Sequence, residues 1–323
     1  MSAKRVTLIV HGILLSAAAS ACNRQSTAFV AEKARRYPTD SVENAARRVG
    51  VVQGLYGPES VRYSPDEDVF YVSVMNGPGS RKDNNGYIVK IDARQLGRDT
   101  LFAVAGKNGV HLDGPKGLAI HGDTLWVTDI DVLRAFSRAT GKPLGEIDLK
   151  PHGAVLLNDV AVGPDGTIYV TDTGIIMSEI GVVYVGGDKV FSIGPNRAIS
   201  VVAHGNILGR PNGVTWDPTQ KRWVVVSFDT FHSEVYALHP ADSTRVILAS
   251  GKGRFDGIEP LRDGGFLVSC WQDSSVHLFD HGNDRQIVRN VPSPADIGID
   301  TKRNRLAIPV ANSRIEFWDL AGT

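Results

Sequence analysis

Six residues hold the same place in six short, similar segments: Glu59, Lys116, Asn158, Asn212, Asp256 and Ala295. Each follows Pro, Leu or Phe and precedes a small or acidic residue and then an aliphatic one, as in Pro211-Asn212-Gly213-Val214 and Phe255-Asp256-Gly257-Ile258. If the segments are arranged around an axis, these side chains meet at one height. A bare scaffold would place small or apolar residues there, whereas this set brings two carboxylates and two amides together. Facing carboxylates repel, so either one holds a proton or a cation sits between them. Carboxylate and amide oxygens are hard ligands suited to Ca²⁺, which takes about 6 to 8 oxygens. Glu59, Asn158, Asn212 and Asp256 are therefore the expected metal ligands, leaving room for water and substrate. Zinc is disfavoured because the set has no His or Cys. Lys116 has two readings: repelled by the ion to a solvated edge, or clamping a substrate carboxylate or oxyanion.

The elements that must position these residues are read from the repeat itself. Successive copies are 57, 42, 54, 44 and 39 residues apart, a period of the kind found in propellers and solenoids. After each segment comes a turn and an apolar strand: Val69–Val72, Leu125–Val127, Ile168–Val170, Trp223–Val226, Phe266–Val268 and Leu306–Ile308. A third strand follows in most copies; in the third copy it is either Val183–Val185 or Lys189–Ile193, and the weakest is Val132–Phe136. A fourth is visible at Leu101–Ala105, Ile199–Ala203, Arg245–Ala249 and Arg285–Arg289. Four strands per copy select an all-β, six-bladed β-propeller over residues 47–323. The last copy lacks an outer strand, and Arg48–Leu55 can supply it, closing the ring and removing an exposed edge.

Composition agrees with a globular chain: 323 residues, 42% hydrophobic and 22% charged. Lys plus Arg equals Asp plus Glu at 35 each, so there is no broad basic field for nucleic acid or anionic membrane. The two cysteines, Cys22 and Cys270, make neither a disulfide scaffold nor a Cys-based zinc site. Lys4 and Arg5, an apolar stretch and Ala19-Ser20-Ala21 describe a signal peptide over 1–21, too short to span a bilayer. Ala19-Ser20-Ala21-Cys22 also resembles a bacterial lipobox, with Ala in place of the usual Leu. The expected protein is exported: a periplasmic or cell-envelope lipoprotein held through Cys22, otherwise secreted, with 22–46 as a tether and a monomeric ring. Asp129, Asp172 and Ser227, ending second strands, are expected to satisfy nearby backbone. His111, His152, His204 and His232 sit in loops near the segment starts and are read as surface histidines, with a proton shuttle as the alternative role for any one of them.

The segments around Glu59, Asn158, Asn212 and Asp256 resemble the SMP-30/gluconolactonase/LRE-like family and its paraoxonase relatives. The similarity is greatest in Leu157–Asp172, and extends to the Asn-Gly and Asp-Gly motifs at 212 and 256 and to Ser269–Val276. It implies a catalytic Ca²⁺ at the channel mouth on the matching Glu, Asn and Asp, and hydrolysis of a small lactone or ester. The paraoxonase histidine pair is replaced here by Lys116 and Asp129, which speaks against arylester or phosphotriester activity. Of the acids that hold a second calcium in paraoxonases, Asp159 fits one and Ser60 replaces the other, so one metal is expected. Asp256 is the expected proton acceptor, Asn158 an orienting ligand, and Lys116 the candidate clamp. The alternative is a non-catalytic NHL-like propeller binding a protein or glycan partner.

Overall fold

The computed structural model describes residues 46–311 and 313–321. The expected signal segment, Cys22 and the tether up to residue 45 lie outside the described residues. Six four-stranded antiparallel sheets form the six blades, and no α-helix occurs among the described residues. Blade 1 runs Pro58–Ser64, Val69–Val74, Tyr87–Asp92 and Asp99–Val104; blade 2 runs Pro115–His121, Thr124–Asp129, Val132–Ser137 and Pro143–Asp148. Blade 3 uses Leu157–Val162, Ile168–Asp172, Lys189–Ile193 and Ile199–His204. Its third strand is thus the later of the two candidates, and the earlier one belongs to an inserted hairpin, Ile175–Ser178 with Gly181–Tyr184. Blades 4 and 5 begin at Pro211–Asp217 and Phe255–Pro260.

The ring closes as its sequence pattern requires. Blade 6 takes Gly298–Asp300, Arg305–Val310 and Arg314–Leu320 from the end of the chain and Ala46–Gln53 from the start. The closure is doubled at the axis, where Val61 N–H donates to Asp296 O (3.1 Å) and Asp296 N–H to Glu59 O (2.9 Å).

The apolar core lies between blades. Six clusters each draw side chains from two adjacent blades, such as Phe70 and Val72 with Ala307, Ile315 and Phe317 across blades 1 and 6. Each sheet therefore buries both faces, which is why its strands read as nearly continuous apolar runs. Around the axis the inner strands come so close that a side chain is excluded at some positions. A Cβ on Gly117 would lie 2.5 Å from Asp159 Cα, and one on Gly257 2.5 Å from Ile297 N.

Candidate metal centre at the channel mouth

In blades 1 to 5 the inner strand carries a register shift spanning the recurrent position: between Pro58 and Val61, Pro115 and Leu118, Leu157 and Val160, Pro211 and Val214, and Phe255 and Ile258. A bulge re-aims a side chain that regular pleating would send into the sheet. Hydroxyls on the second strands fix the result. Thr171 Oγ1 accepts Asp159 N–H (3.0 Å) and donates to Asn212 O (2.5 Å) in the next blade. Ser269 Oγ likewise accepts Gly257 N–H and donates to Ala295 O, both at 2.8 Å. Asn212 and Ala295 are thereby tied to the preceding blade, as is Asn158, whose carbonyl accepts from Thr128 Oγ1 (2.5 Å).

Glu59, Asn158, Asn212, Asp256 and Ala295 line one cavity of about 780 Å³ at the mouth of the channel. Glu59 Oε2, Asn158 Oδ1, Asn212 Oδ1 and Asp256 Oδ1 are all buried and lack any hydrogen-bond partner. Orphaned buried acceptors are costly and need an explanation. The orientation of Asn158 is determined by its neighbour. Thr173 Oγ1 gives its proton to Pro211 O (2.9 Å), so it must accept from Asn158 Nδ2 (3.0 Å), leaving Oδ1 as the free atom. Burial, then the proximity of Asp256, pushes the Glu59 carboxyl well above its usual range. Burial and then Asp296 do the same to Asp256. Four unpartnered oxygens, two of them on carboxyls whose ionisation is penalised, fit a hard divalent cation.

Lys116 shares the recurrent position but neither of its expected destinations. It has no exposure at all, which excludes a solvated edge, and it does not line the cavity. Its ammonium donates to Gly79 O (2.8 Å) and Gly114 O (3.0 Å), which uses two of its three N–H groups and holds it behind the cavity wall, away from where a substrate clamp would stand. Burial lowers its pKa, partly offset by Glu59 and Asp129. The side chain pins the 77–86 loop and offers counter-charge to Glu59.

Below the mouth is a cluster that sequence reading missed. Arg62 donates from Nε to Leu118 O (2.9 Å) and from Nη2 to Asp296 (2.9 Å), lies 3.7 Å from Asp159, and pairs through Nη1 with Glu259. A guanidinium that touches the inner strands of blades 2, 3, 5 and 6 must lie near the axis. Counting both levels, five carboxyls (Glu59, Asp159, Asp256, Glu259, Asp296) face two basic groups, Lys116 and Arg62. Burial raises Glu259 to about 7 although Arg62 opposes the shift.

The loops at 77–86 and 174–187 both wall the cavity and meet there: Met177 N–H donates to Ser80 Oγ (2.9 Å) and Ser80 N–H to Met177 O (3.2 Å). Asp172 accepts from Val155 and Leu156 (2.7 and 3.0 Å) and Asp129 from Gly114 (2.7 Å), the backbone roles expected of them. Ser227 Oγ accepts from Glu234 N–H (2.8 Å). His111, His152, His204 and His232 do not line the cavity. Trp271, also missed, does line it. Its indole N–H leans toward Asp256 but completes no hydrogen bond. A separate group, Cys270, Asp273 and His277, has ligand atoms within 4.8 Å of one another. Those atoms are already satisfied: His277 bonds Asp273 (3.0 Å) and Asp284 (2.5 Å), and the Cys270 thiol donates to Gly253 O (3.2 Å). Burial pushes that thiol up to about 12.

Fold and site together define a six-bladed propeller with an oxygen-donor collar at its axial mouth. The family model of the SMP-30/gluconolactonase/LRE-like region matches residues 130–299, more than half of the chain, and the chain belongs to that family. Among solved structures it is similar to a gluconolactonase from Xanthomonas campestris, at 16% identity and TM-score 0.63, covering 85% of this chain and 91% of that one. It is similar to a luciferin-regenerating enzyme at 12% identity and TM-score 0.62, covering 86% and 95%. A chain of a nidogen/laminin complex matches at 19% identity and TM-score 0.55, covering 72% and 82%. At these identities the likeness is one of fold. No curated protein matches the chain.

Proposed function

We propose that this protein is an exported, calcium-dependent hydrolase of lactones or related esters, acting at the channel mouth. The observation that carries the reading is the set of four buried, unpartnered oxygens on Glu59, Asn158, Asn212 and Asp256. Family membership supports lactone chemistry over a purely binding propeller. Bound at the collar, a divalent cation supplies Lewis-acid polarisation of an ester carbonyl and charge for the developing oxyanion. The chain's own residues do the rest. Thr173 holds the Asn158 amide so that its oxygen faces the mouth. Asp256, raised by burial, accepts a proton from the attacking water. Trp271 offers a free N–H beside it. Lys116 acts as a positioning residue through the 77–86 loop. Export rests on residues 1–21, with Cys22 as a lipid anchor and the only link to membrane. The test is turnover of a lactone panel by chelated protein with and without added calcium. Activity that returns with calcium and is lost in Asp256→Ala supports the reading; no calcium-dependent turnover of any lactone overturns it. For the anchor, Cys22→Ala should move the protein from the membrane to the soluble fraction.

A further inference from the structure

Two residues before the recurrent position, the six blades carry Gly57, Gly114, Leu156, Arg210, Arg254 and Ser293. Gly57, Arg210, Arg254 and Ser293 have left-handed backbones, with φ of 74°, 59°, 56° and 47°, and all four line the cavity. Glycine is the unstrained residue for that conformation, as at Gly57. Two adjacent blades, 4 and 5, instead place arginine there. Strained backbone of this kind persists where the surroundings enforce it and concentrates at functional sites.

The two guanidiniums differ from the other arginine at the mouth. Arg81 is neutralised by Glu179 at 2.5 Å. Arg210 is seated 4.4 Å above the Tyr184 ring and donates to Thr230 Oγ1 (3.1 Å), both cavity-lining residues. The nearby Asp188 accepts the Arg210 backbone N–H (2.7 Å), and the Arg210 charge partly offsets the burial that raises the Asp188 carboxyl, without a close ion pair between the two side chains. Arg254 is half-buried, and among the described residues its guanidinium makes no hydrogen bond or ion pair. One side of the mouth therefore presents Arg210, whose charge also acts on the buried Asp188, and Arg254, which has no ion pair among the described residues, both lining the cavity that holds the oxygen collar. Planar donors of this kind bind carboxylate or phosphate in a fixed geometry.

We propose that the substrate is an anionic lactone, one that bears a carboxylate or phosphate away from its ring ester, gripped by Arg210 and Arg254 while the ester faces the collar. This rests on the lactonase reading above. Hydrolysis adds one water across the ring C–O bond. A lactone with one distal anion becomes an open hydroxy acid with two anionic ends, and one proton goes to solvent. The arginines and the collar would then hold opposite ends of the same product.

Product analogues test this without requiring turnover. Binding of gluconate, glucarate and 6-phosphogluconate to full-length protein in saturating calcium is measured by calorimetry, beside hydrolysis of the corresponding lactones. Glucarate or 6-phosphogluconate is expected to bind at least tenfold more tightly than gluconate, the better of the two showing which anion is preferred. Arg254→Gly, a change that suits the left-handed backbone, should cut that preference roughly tenfold to a hundredfold, the scale of one charge-assisted hydrogen bond. Arg254→Lys should restore part of it. Equal binding of the three anions, no binding of any, or a preference that survives in both Arg254→Gly and Arg210→Gly overturns the proposal. So does a parallel loss of all three anions with weakened calcium, which would assign the arginine to the metal site. An arginine-dependent preference with no lactone hydrolysed would sink the lactonase reading and leave the anion site standing. Calcium-dependent hydrolysis of neutral gluconolactone without the preference would do the reverse.

Discussion

Asp256→Asn should stabilise the protein in chelator and lose that advantage in calcium. The substitution keeps shape and one oxygen while removing a charge from a site only 3% exposed. In chelator, wild-type Asp256 has a folded-state pKa above the unfolded value of 3.8, so its charge opposes folding. The deficit is absent below that unfolded value and grows as pH rises, so it is present at pH 8. An unsatisfied buried group costs on the order of 1–3 kcal/mol. With roughly 270 residues in the described propeller and about 2.1 cal/mol/K of unfolding entropy per residue, 1 kcal/mol shifts Tm by nearly 2 °C. The variant should therefore melt about 2–5 °C above wild type in chelator at pH 8, with the gap closing on acidification. Calcium at a hundred times Kd adds about 2.7 kcal/mol to wild type, or about 5 °C, and little to the variant. Wild type then draws level with the variant or melts up to about 3 °C above it. Scanning calorimetry of both proteins in chelator and in calcium checks this. Wild type melting alike in both conditions, or a variant that keeps the full calcium shift, would refute the reasoning.

Glu259→Gln should flatten the pH dependence of stability: the wild-type penalty is nil below pH 4.5, grows toward pH 7 and reaches about 3 kcal/mol above it, as urea unfolding at several pH values would show. Gly117→Ala would press a methyl within 2.7 Å of Asn158 O and should cost at least about 1–3 kcal/mol while weakening calcium binding. Gly97→Ala, with nothing within 4 Å, should stay within about 0.5 kcal/mol in the same denaturation assay. Lys116→Met removes a buried cation close enough to act on Glu59, and the lost repulsion of a dication should outweigh the further rise of Glu59 and tighten calcium several-fold by titration calorimetry; unchanged affinity would remove Lys116 from the electrostatics of the collar.

What the sequence made legible was whatever repeats. The recurrent position, the strand order and the closing strand, expected at Arg48–Leu55 and found at Ala46–Gln53, follow from one pattern copied six times, because equivalent residues in a ring must occupy equivalent places. What it hid was whatever breaks the repeat. Arg62 has no counterpart in other blades, and its partners Asp296 and Glu259 lie 234 and 197 residues away, so only the closed ring brings them together. Lys116 was visible as a member of the ring, but its direction depends on two backbone carbonyls, Gly79 and Gly114, that carry no sequence signal. The Ile175–Tyr184 hairpin imitates a blade strand in its apolar content and differs only in pairing with itself. Arg210 and Arg254 stood beside the motifs throughout, yet their left-handed backbones, immediately before the bulged inner strands, and their place in the cavity wall carry no signal in the sequence pattern.

The central claim is that a cation belongs at the collar. Crystals of the protein loaded with calcium, measured for anomalous scattering, test it most directly. The account predicts one peak at the channel mouth, about 2.3–2.6 Å from oxygens of Glu59, Asn158, Asn212 and Asp256. An empty collar at saturating calcium, or a peak at Cys270, Asp273 and His277 instead, would contradict it.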